Sequence, residues 1–287
     1  MASDSSNPPP RSDSGSHTTA YVLGSSDRER RRLMKQGELL RELLADAFRA
    51  AGIGPGMRVL DIGSGAGDVA MLAAELVGPT GSVVGLDRDS ASVAWATKRV
   101  SEAGIANIHF QTAEFNEFTD SQPFDALVGR FILLYLPDPA ATLRHLAQVL
   151  RSGAAIAFFE PDFTVPSRVF PEMPEFERYG AWIAEALSRS GARIDMGMRL
   201  YATYRDAGFV GTETAVSHLS GCGITREMAE YMTETLRSVL PKLEQYGIAT
   251  REEVQIDTLA DRAMAAGRAA DPQWVSTRYI AAWAKKP

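Results

Sequence analysis

The sequence predicts an α/β fold, a mostly parallel sheet with helices on both faces, and three observations carry that expectation. Short runs rich in Val, Ile, Leu and Phe at 58–62, 82–86, 108–112, 126–129 and 154–160 alternate with helical stretches at 68–77, 90–103 and 139–149. Parallel strands, buried on both faces, read as near-continuous apolar runs of this kind. Glycine and proline punctuate the alternation. Gly78, Pro79 and Gly81 end one helix, Gly104 ends the next, and Asp138-Pro139 opens a third, each at a position where that residue type is favoured. Finally, RVLDIGSGAGD at 58–68 reads as strand, glycine turn and helix start, a connection where backbone can approach a ligand unobstructed by side chains.

The chain is long enough, at 287 residues, for one domain of about 250 residues or a domain with a smaller cap. Its 45% hydrophobic and 23% charged residues are an ordinary globular balance, and the net charge of -6 supplies no basic excess for nonspecific phosphate binding. One cysteine, Cys222, excludes an intrachain disulfide and a Cys-rich metal site and suits a reducing compartment. No apolar run approaches the length of a membrane span. The N-terminus is rich in Ser, Pro and Asp rather than built as a targeting signal, so a cytoplasmic location is expected.

Taken in order, residues 1–19 are too polar and Pro-rich to pack and are expected to be disordered. Residues 20–56 are expected to form an N-terminal helical lid. There Asp27 would cap a helix over 28–51 with a stripe of Leu33, Leu40, Leu43, Leu44, Ala47 and Phe48. Arg28, Arg30, Arg31 and Arg32 sit at the wrong end of that helix for its dipole, which calls for solvation or ion pairs. Residues 57–287 form the main domain, with helical cap insertions near 163–207 and 224–268. The link after Glu160, EPDFTVPSRVFPEMPEF, is long and lid-like. Helical material follows over 176–207 with a break near Gly191 or Gly197. A strand at 209–218, helices at 226–246 and 252–266, and a terminal strand at 274–284 complete the chain.

The glycine spacing is G-x-G-x-G (Gly63, Gly65, Gly67), not the G-x-G-x-x-G of dinucleotide folds. Asp61, two residues before Gly63, would sit poorly beside a pyrophosphate and well beside an ammonium or a water network. Asp87 ends the second strand, where a carboxylate can accept from a ribose diol. The competing role, capping the helix from Ser90, suits Asp89 better.

The series DIGSGAGD, VVGLDRD, FQTAEF and FDALVGRFILLYLPDP resembles the class I S-adenosylmethionine-dependent methyltransferases. It is most similar to their small-molecule branch, which includes ubiquinone/menaquinone-biosynthesis-type enzymes. The resemblance implies a Rossmann-like, seven-stranded sheet in the order 3-2-1-4-5-7-6 with strand 7 antiparallel, so that 209–218 and 274–284 become strands 6 and 7. It implies S-adenosyl-L-methionine as cofactor, with Gly63, Ser64, Gly65 and Gly67 around its methionine part, Asp61 at its amino group and Asp87 at the ribose. Arg88, Ala113 and Glu114 would border the adenine. Relatives often place an acid where Thr112 stands, so Glu114 or a backbone carbonyl would meet the adenine amino group. Arg130 would pair with the cofactor carboxylate, or else with Asp61 or Glu160. Tyr21 would close over the site.

Methyl transfer from a sulfonium needs alignment in a dry pocket, and a base only where the nucleophile is protonated. No metal is expected. His218, after strand 6, and Glu160 and Asp162, after strand 5, are the candidates for base or substrate binding, with loop packing the alternative for His218. His109 and His145 read as structural, and Cys222 as a small apolar filler. Phe170, Met173, Phe176 and Tyr179 suggest an apolar lid, to which Tyr201, Tyr204, Met228, Tyr231 and Met232 would add wall or helix core. Together these features favour a partly apolar small-molecule acceptor, with a homodimer compatible. The alternatives are a methyltransferase of RNA or protein, a non-catalytic cofactor-binding protein and a nucleotide-dependent oxidoreductase.

Overall fold

The computed structural model describes residues 26–287; the expected tail and Tyr21 lie outside the described residues. The strands are β1 (Arg58–Ile62), β2 (Ser82–Asp87), β3 (Ile108–Thr112), β4 (Phe124–Arg130), β5 (Leu150–Asp162), β6 (Arg168–Phe170), β7 (Val210–Ser217), β8 (Ser220–Cys222), β9 (Gln273–Val275) and β10 (Arg278–Lys285). The helices are α1 (Asp27–Ala50), α2 (Asp68–Val77), α3 (Ser90–Glu102), α4 (Pro139–Leu146), α5 (Pro174–Arg189), α6 (Met196–Ala207), α7 (Arg226–Gln245), α8 (Arg251–Val254) and α9 (Leu259–Ala270).

Seven strands form one sheet in the order β3-β2-β1-β4-β5-β10-β7. β10 runs antiparallel to both of its neighbours, and the pairs among β1 to β5 are parallel. This is the order expected from the motif series, with β7 and β10 as the sixth and seventh sheet strands. One face is covered by α1, α2 and α3, where Leu40, Leu44 and Phe48 of α1 are buried at four-residue spacing with Val69, Ala73 and Val77 of α2. The opposite face carries α4 and α6 around Phe158, Leu143, Leu200 and Tyr204. Fully burying each such side chain is worth about 1.5–3 kcal/mol.

A third core joins Tyr179 and Ala186 of α5 to Leu236, Leu240 and Leu243 of α7 and to Val254 and Leu259. That cap is completed by a three-stranded sheet, β6-β9-β8, which the sequence did not announce. Residues 252–266 are two helices rather than one, divided where Gln255 takes a positive φ of 49°. Residues 274–284 are likewise split between β9 and β10 at Ser276-Thr277, where the Thr277 hydroxyl is bonded to the main-chain oxygens of Asp162 and Val165 at 2.6 and 2.8 Å. Ser26, not Asp27, caps α1, accepting from the Glu29 N–H at 3.2 Å, while Asp27 pairs with Arg30 at 2.7 Å. Among the described residues no helix is long and apolar enough to cross a membrane.

Candidate functional site

The glycine turn lies at the carboxyl ends of β1 and β2, next to the end of β4, where open α/β sheets bind ligands. Gly63 has φ 69°, and a Cβ there would stand 2.6 Å from the Ile132 side chain, so only glycine fits. The N–H and the hydroxyl of Ser64 both donate to the Leu86 carbonyl at 3.0 Å, tying the turn to β2. Asp87 accepts from the Gly65 N–H at 2.8 Å and from the Asp89 N–H at 2.9 Å. Asp89 caps α3, accepting from Ala91 and Ser92 at 3.2 Å. The two acids therefore divide the work: Asp89 holds the helix, and Asp87 faces the turn with lone pairs to spare.

Asp61 is fully buried, and neither carboxyl oxygen meets a hydrogen-bond partner among the described residues. Burial pushes its pKa well up, against the opposing pull of the Arg130 cation. Arg130 lies with its guanidinium 4.0 Å from the Asp68 carboxylate, which Arg99 also engages at 2.6 Å. Burial depresses the Arg130 pKa. Its nearest ion-pair partner is thus Asp68, neither Asp61 nor Glu160. The Ala113 N–H donates to the Asp87 carbonyl at 3.0 Å, and Arg88 and Glu114 are exposed beyond it. The structure so gathers Asp61, Ser64, Asp87, Ala113 and Arg130 around Gly63, Gly65 and Gly67. α1 roofs the turn, with Leu33 over Gly65 and Gly37 against Asp68.

Beside this turn is an apolar cavity of about 250 Å³ whose walls include Phe131, Tyr135, Phe176, Met228, Trp274 and Tyr279. Its polar edge includes Arg32 and Gln36 of α1 and Tyr231 of α7. Phe131 joins the two regions. It is a non-glycine residue at φ 54°, a conformation costing on the order of 1–3 kcal/mol. Stacking on Phe159 and Tyr279, at centroid separations of 5.9 and 5.7 Å, and an N–H bond to the Phe159 carbonyl at 3.0 Å hold it there. Glu160 secures the next two residues, with Oε1 accepting from the Ile132 and Leu133 N–H groups at 3.0 and 2.8 Å. Its Oε2 is buried without a partner among the described residues, and burial raises its pKa to about 8 despite those amides.

The expected catalytic side chains do not converge. Glu160 and Asp162 lie within β5, fully buried, and neither lines the cavity. Asp162 accepts from the Thr164 N–H and hydroxyl at 3.0 and 2.6 Å and pairs with Arg278. His218 is exposed, its Nδ1 3.2 Å from the Ser276 carbonyl, and lies outside the lining. Cys222 is exposed on β8, which corrects its reading as an apolar filler. From the expected lid, Phe176 lines the cavity, Phe170 is 77% exposed, and Met173 and Tyr179 are buried. Tyr204 is core, its hydroxyl donating to the Ala282 carbonyl at 3.0 Å, and Tyr201 is exposed. Met228, Tyr231 and Met232 do form wall. Sequence reasoning missed Arg32, Gln36, Trp274 and Tyr279 as parts of this wall. The i, i+4 placement of Arg32 and Gln36 on one face of α1 was the available signal.

A family model described as a methyltransferase domain matches residues 53–208. The aklanonic acid methyltransferase DauC of Streptomyces sp. (strain C5) is 31% identical over 187 residues, covering 60% of this chain and 76% of that protein. The 2-phytyl-1,4-naphtoquinone methyltransferase of Synechococcus elongatus is 38% identical over 109 residues, or 37% of this chain, and the match spans only 46% of that protein. Among solved structures, the YcgJ protein of Bacillus subtilis shares the fold at a TM-score of 0.58 and 19% identity, over 86% of this chain and 98% of that one. The chain belongs to the class I S-adenosylmethionine-dependent methyltransferases, and S-adenosyl-L-methionine is its cofactor.

Proposed function

We propose that this methyltransferase acts on a small, partly apolar acceptor of aromatic or quinone type, held in the cavity beside the glycine turn. The observation that carries the reading is the shared wall. Ile132 packs on Gly63 while its neighbour Phe131 lines the cavity, and α1 covers the turn with Leu33 and the cavity with Arg32 and Gln36. The aromatic lining suits a planar ring system. Two relatives support it by what their names say they methylate, aklanonic acid and a phytylated naphthoquinone.

The turn fits the cofactor. The Asp61 carboxyl, without a hydrogen-bond partner among the described residues, would hold its ammonium, and the side-chain-free main chain at Gly63, Gly65 and Gly67 would leave it room. Asp87 would take the ribose hydroxyls, Ala113 and the exposed Arg88 and Glu114 would border the adenine, and Arg130 would neutralise the carboxylate. When bound, S-adenosylmethionine supplies an electrophilic methyl group on a sulfonium. This chain contributes alignment and water exclusion: α1 closes the turn, and Phe131, Tyr279 and Trp274 keep the acceptor side dry. His218, Glu160 and Asp162 hold structure rather than protons of the acceptor.

We read residues 26–56 as the lid, with the cap built from α5, α7, α8, α9 and the small sheet. The negative net charge speaks against a nucleic-acid acceptor, the single cysteine favours the cytoplasm, and a homodimer remains compatible. A non-catalytic cofactor-binding protein would need this cavity filled. The test is calorimetry with S-adenosylhomocysteine followed by a mass-spectrometric screen of hydroxylated aromatics, aromatic acids and quinols for gain of one methyl group. Methylation of RNA or protein, with no small molecule modified, would sink the reading.

A further inference from the structure

The cavity's polar groups can be inventoried by what each already bonds. The Trp274 indole N–H donates to the Gly223 carbonyl at 3.0 Å. Arg168 and Glu177 pair with each other at 3.1 Å. Arg32 makes a two-pronged contact with Glu29 at 2.9 and 2.6 Å. Tyr231 differs. Its hydroxyl accepts from Gln36 Nε2 at 2.9 Å, and among the described residues its own proton has no acceptor. A phenol offers one O–H and two lone pairs; with one lone pair taken by Gln36, the oriented proton is left for whatever enters the cavity.

The placement of that hydroxyl is informative. Tyr231 lines both the inner cavity and an outer cleft between α1 and α7 rimmed by Arg28, Arg31, Lys35 and Arg226. Its partner Gln36 belongs to α1, the helix that roofs the glycine turn through Leu33, so the hydroxyl stands at the edge of the cavity that this helix shares with the turn. Gln36, which orients it, precedes the Gly37 that packs on Asp68.

We propose that the Tyr231 hydroxyl, oriented by Gln36, is a specificity-determining group that donates a hydrogen bond to an oxygen of the acceptor, carbonyl, carboxylate or phenolate, close to the atom that is methylated. This rests on the reading of the cavity as the acceptor site. An acceptor lacking that oxygen would leave the half-buried Tyr231–Gln36 pair underused, and sites that hydrogen-bond their substrate reject such an analogue more strongly than an apolar pocket rejects a change in size.

The test uses a shape-matched probe pair, 1-tetralone and tetralin, whose binding to the full chain saturated with S-adenosylhomocysteine is measured by equilibrium dialysis. The wild type is expected to prefer the ketone. Tyr231→Phe and, independently, Gln36→Leu are each expected to cut ketone binding about tenfold and to leave tetralin unchanged, with melting temperatures confirming that both variants fold. A ketone preference that survives both substitutions overturns the Tyr231 assignment alone. Gly180→Trp, which fills the cavity from α5, separates the two readings. If both probes still bind that variant as they bind wild type, or if neither binds wild type, the acceptor-cavity reading falls and this inference with it.

Discussion

Glutamine in place of Glu160 keeps an oxygen for the Ile132 and Leu133 N–H groups and removes the ionisable proton. In wild type that proton has a large thermodynamic effect. The folded carboxyl titrates at about 8 and an ordinary one near 4.5, so between those values the folded state keeps a proton that the unfolded chain releases. Stability therefore falls as pH rises through that window, being fully present below about 4.5 and lost by about 8. At about 1.4 kcal/mol per pH unit, the interval corresponds to at most about 5 kcal/mol. Other buried acids such as Asp61 contribute to both proteins and cancel in the difference. Urea unfolding of wild type and Glu160→Gln at pH 5 and pH 8.5 is the assay, with the variant gaining about 3–5 kcal/mol relative to wild type between the two. Parallel pH dependences would refute the reasoning and show a carboxylate already charged when folded.

Three further outcomes follow from the same geometry. Asp87→Ala should weaken S-adenosylhomocysteine binding about 100-fold or more by calorimetry, because two hydrogen bonds to a charged acceptor are lost; unchanged affinity would remove Asp87 from the ribose. Glu29 and Arg32 form a buried ion pair to which the Ser238 hydroxyl adds a bond at 2.7 Å. Arg32→Ala should cost about 3–5 kcal/mol in denaturant unfolding, and Arg32→Met combined with Glu29→Gln should recover most of it. A Cβ at Gly180 would meet nothing within 4 Å. Gly180→Ala should thus stabilise α5 by about 1 kcal/mol and leave S-adenosylhomocysteine affinity unchanged, as thermal shift and calorimetry would show.

What could be read in advance divides along a physical line. The strands were legible because each is a local apolar run closed by a glycine or an acid with one backbone duty, while their order came with the resemblance that the motif series carries. Asp87 and Asp89 were separable for the same reason. The strands β6, β8 and β9 have three residues each, too few for a period-2 pattern to appear. Whether a residue just past a strand turns inward is likewise a tertiary matter, which is why His218, bonded to Ser276 58 positions away, was placed too close to the chemistry. The cavity's polar edge was the least legible feature, since Gln36 and Tyr231 meet across 195 positions.

The basic run at the start of α1 shows what long range adds. Alone it reads as a solvated face on the wrong end of a helix dipole. In the fold it is a clasp to α7: Arg28 pairs with Glu234, Lys35 with Glu227, and Glu29 accepts from Ser238. The same helix roofs the glycine turn through Leu33 and Gly37 and walls the cavity through Arg32 and Gln36. An α1 lifted to admit the donor would carry Gln36 away from Tyr231 and open the cavity. On the proposed reading, the polar edge of the cavity is therefore complete only while α1 covers the glycine turn.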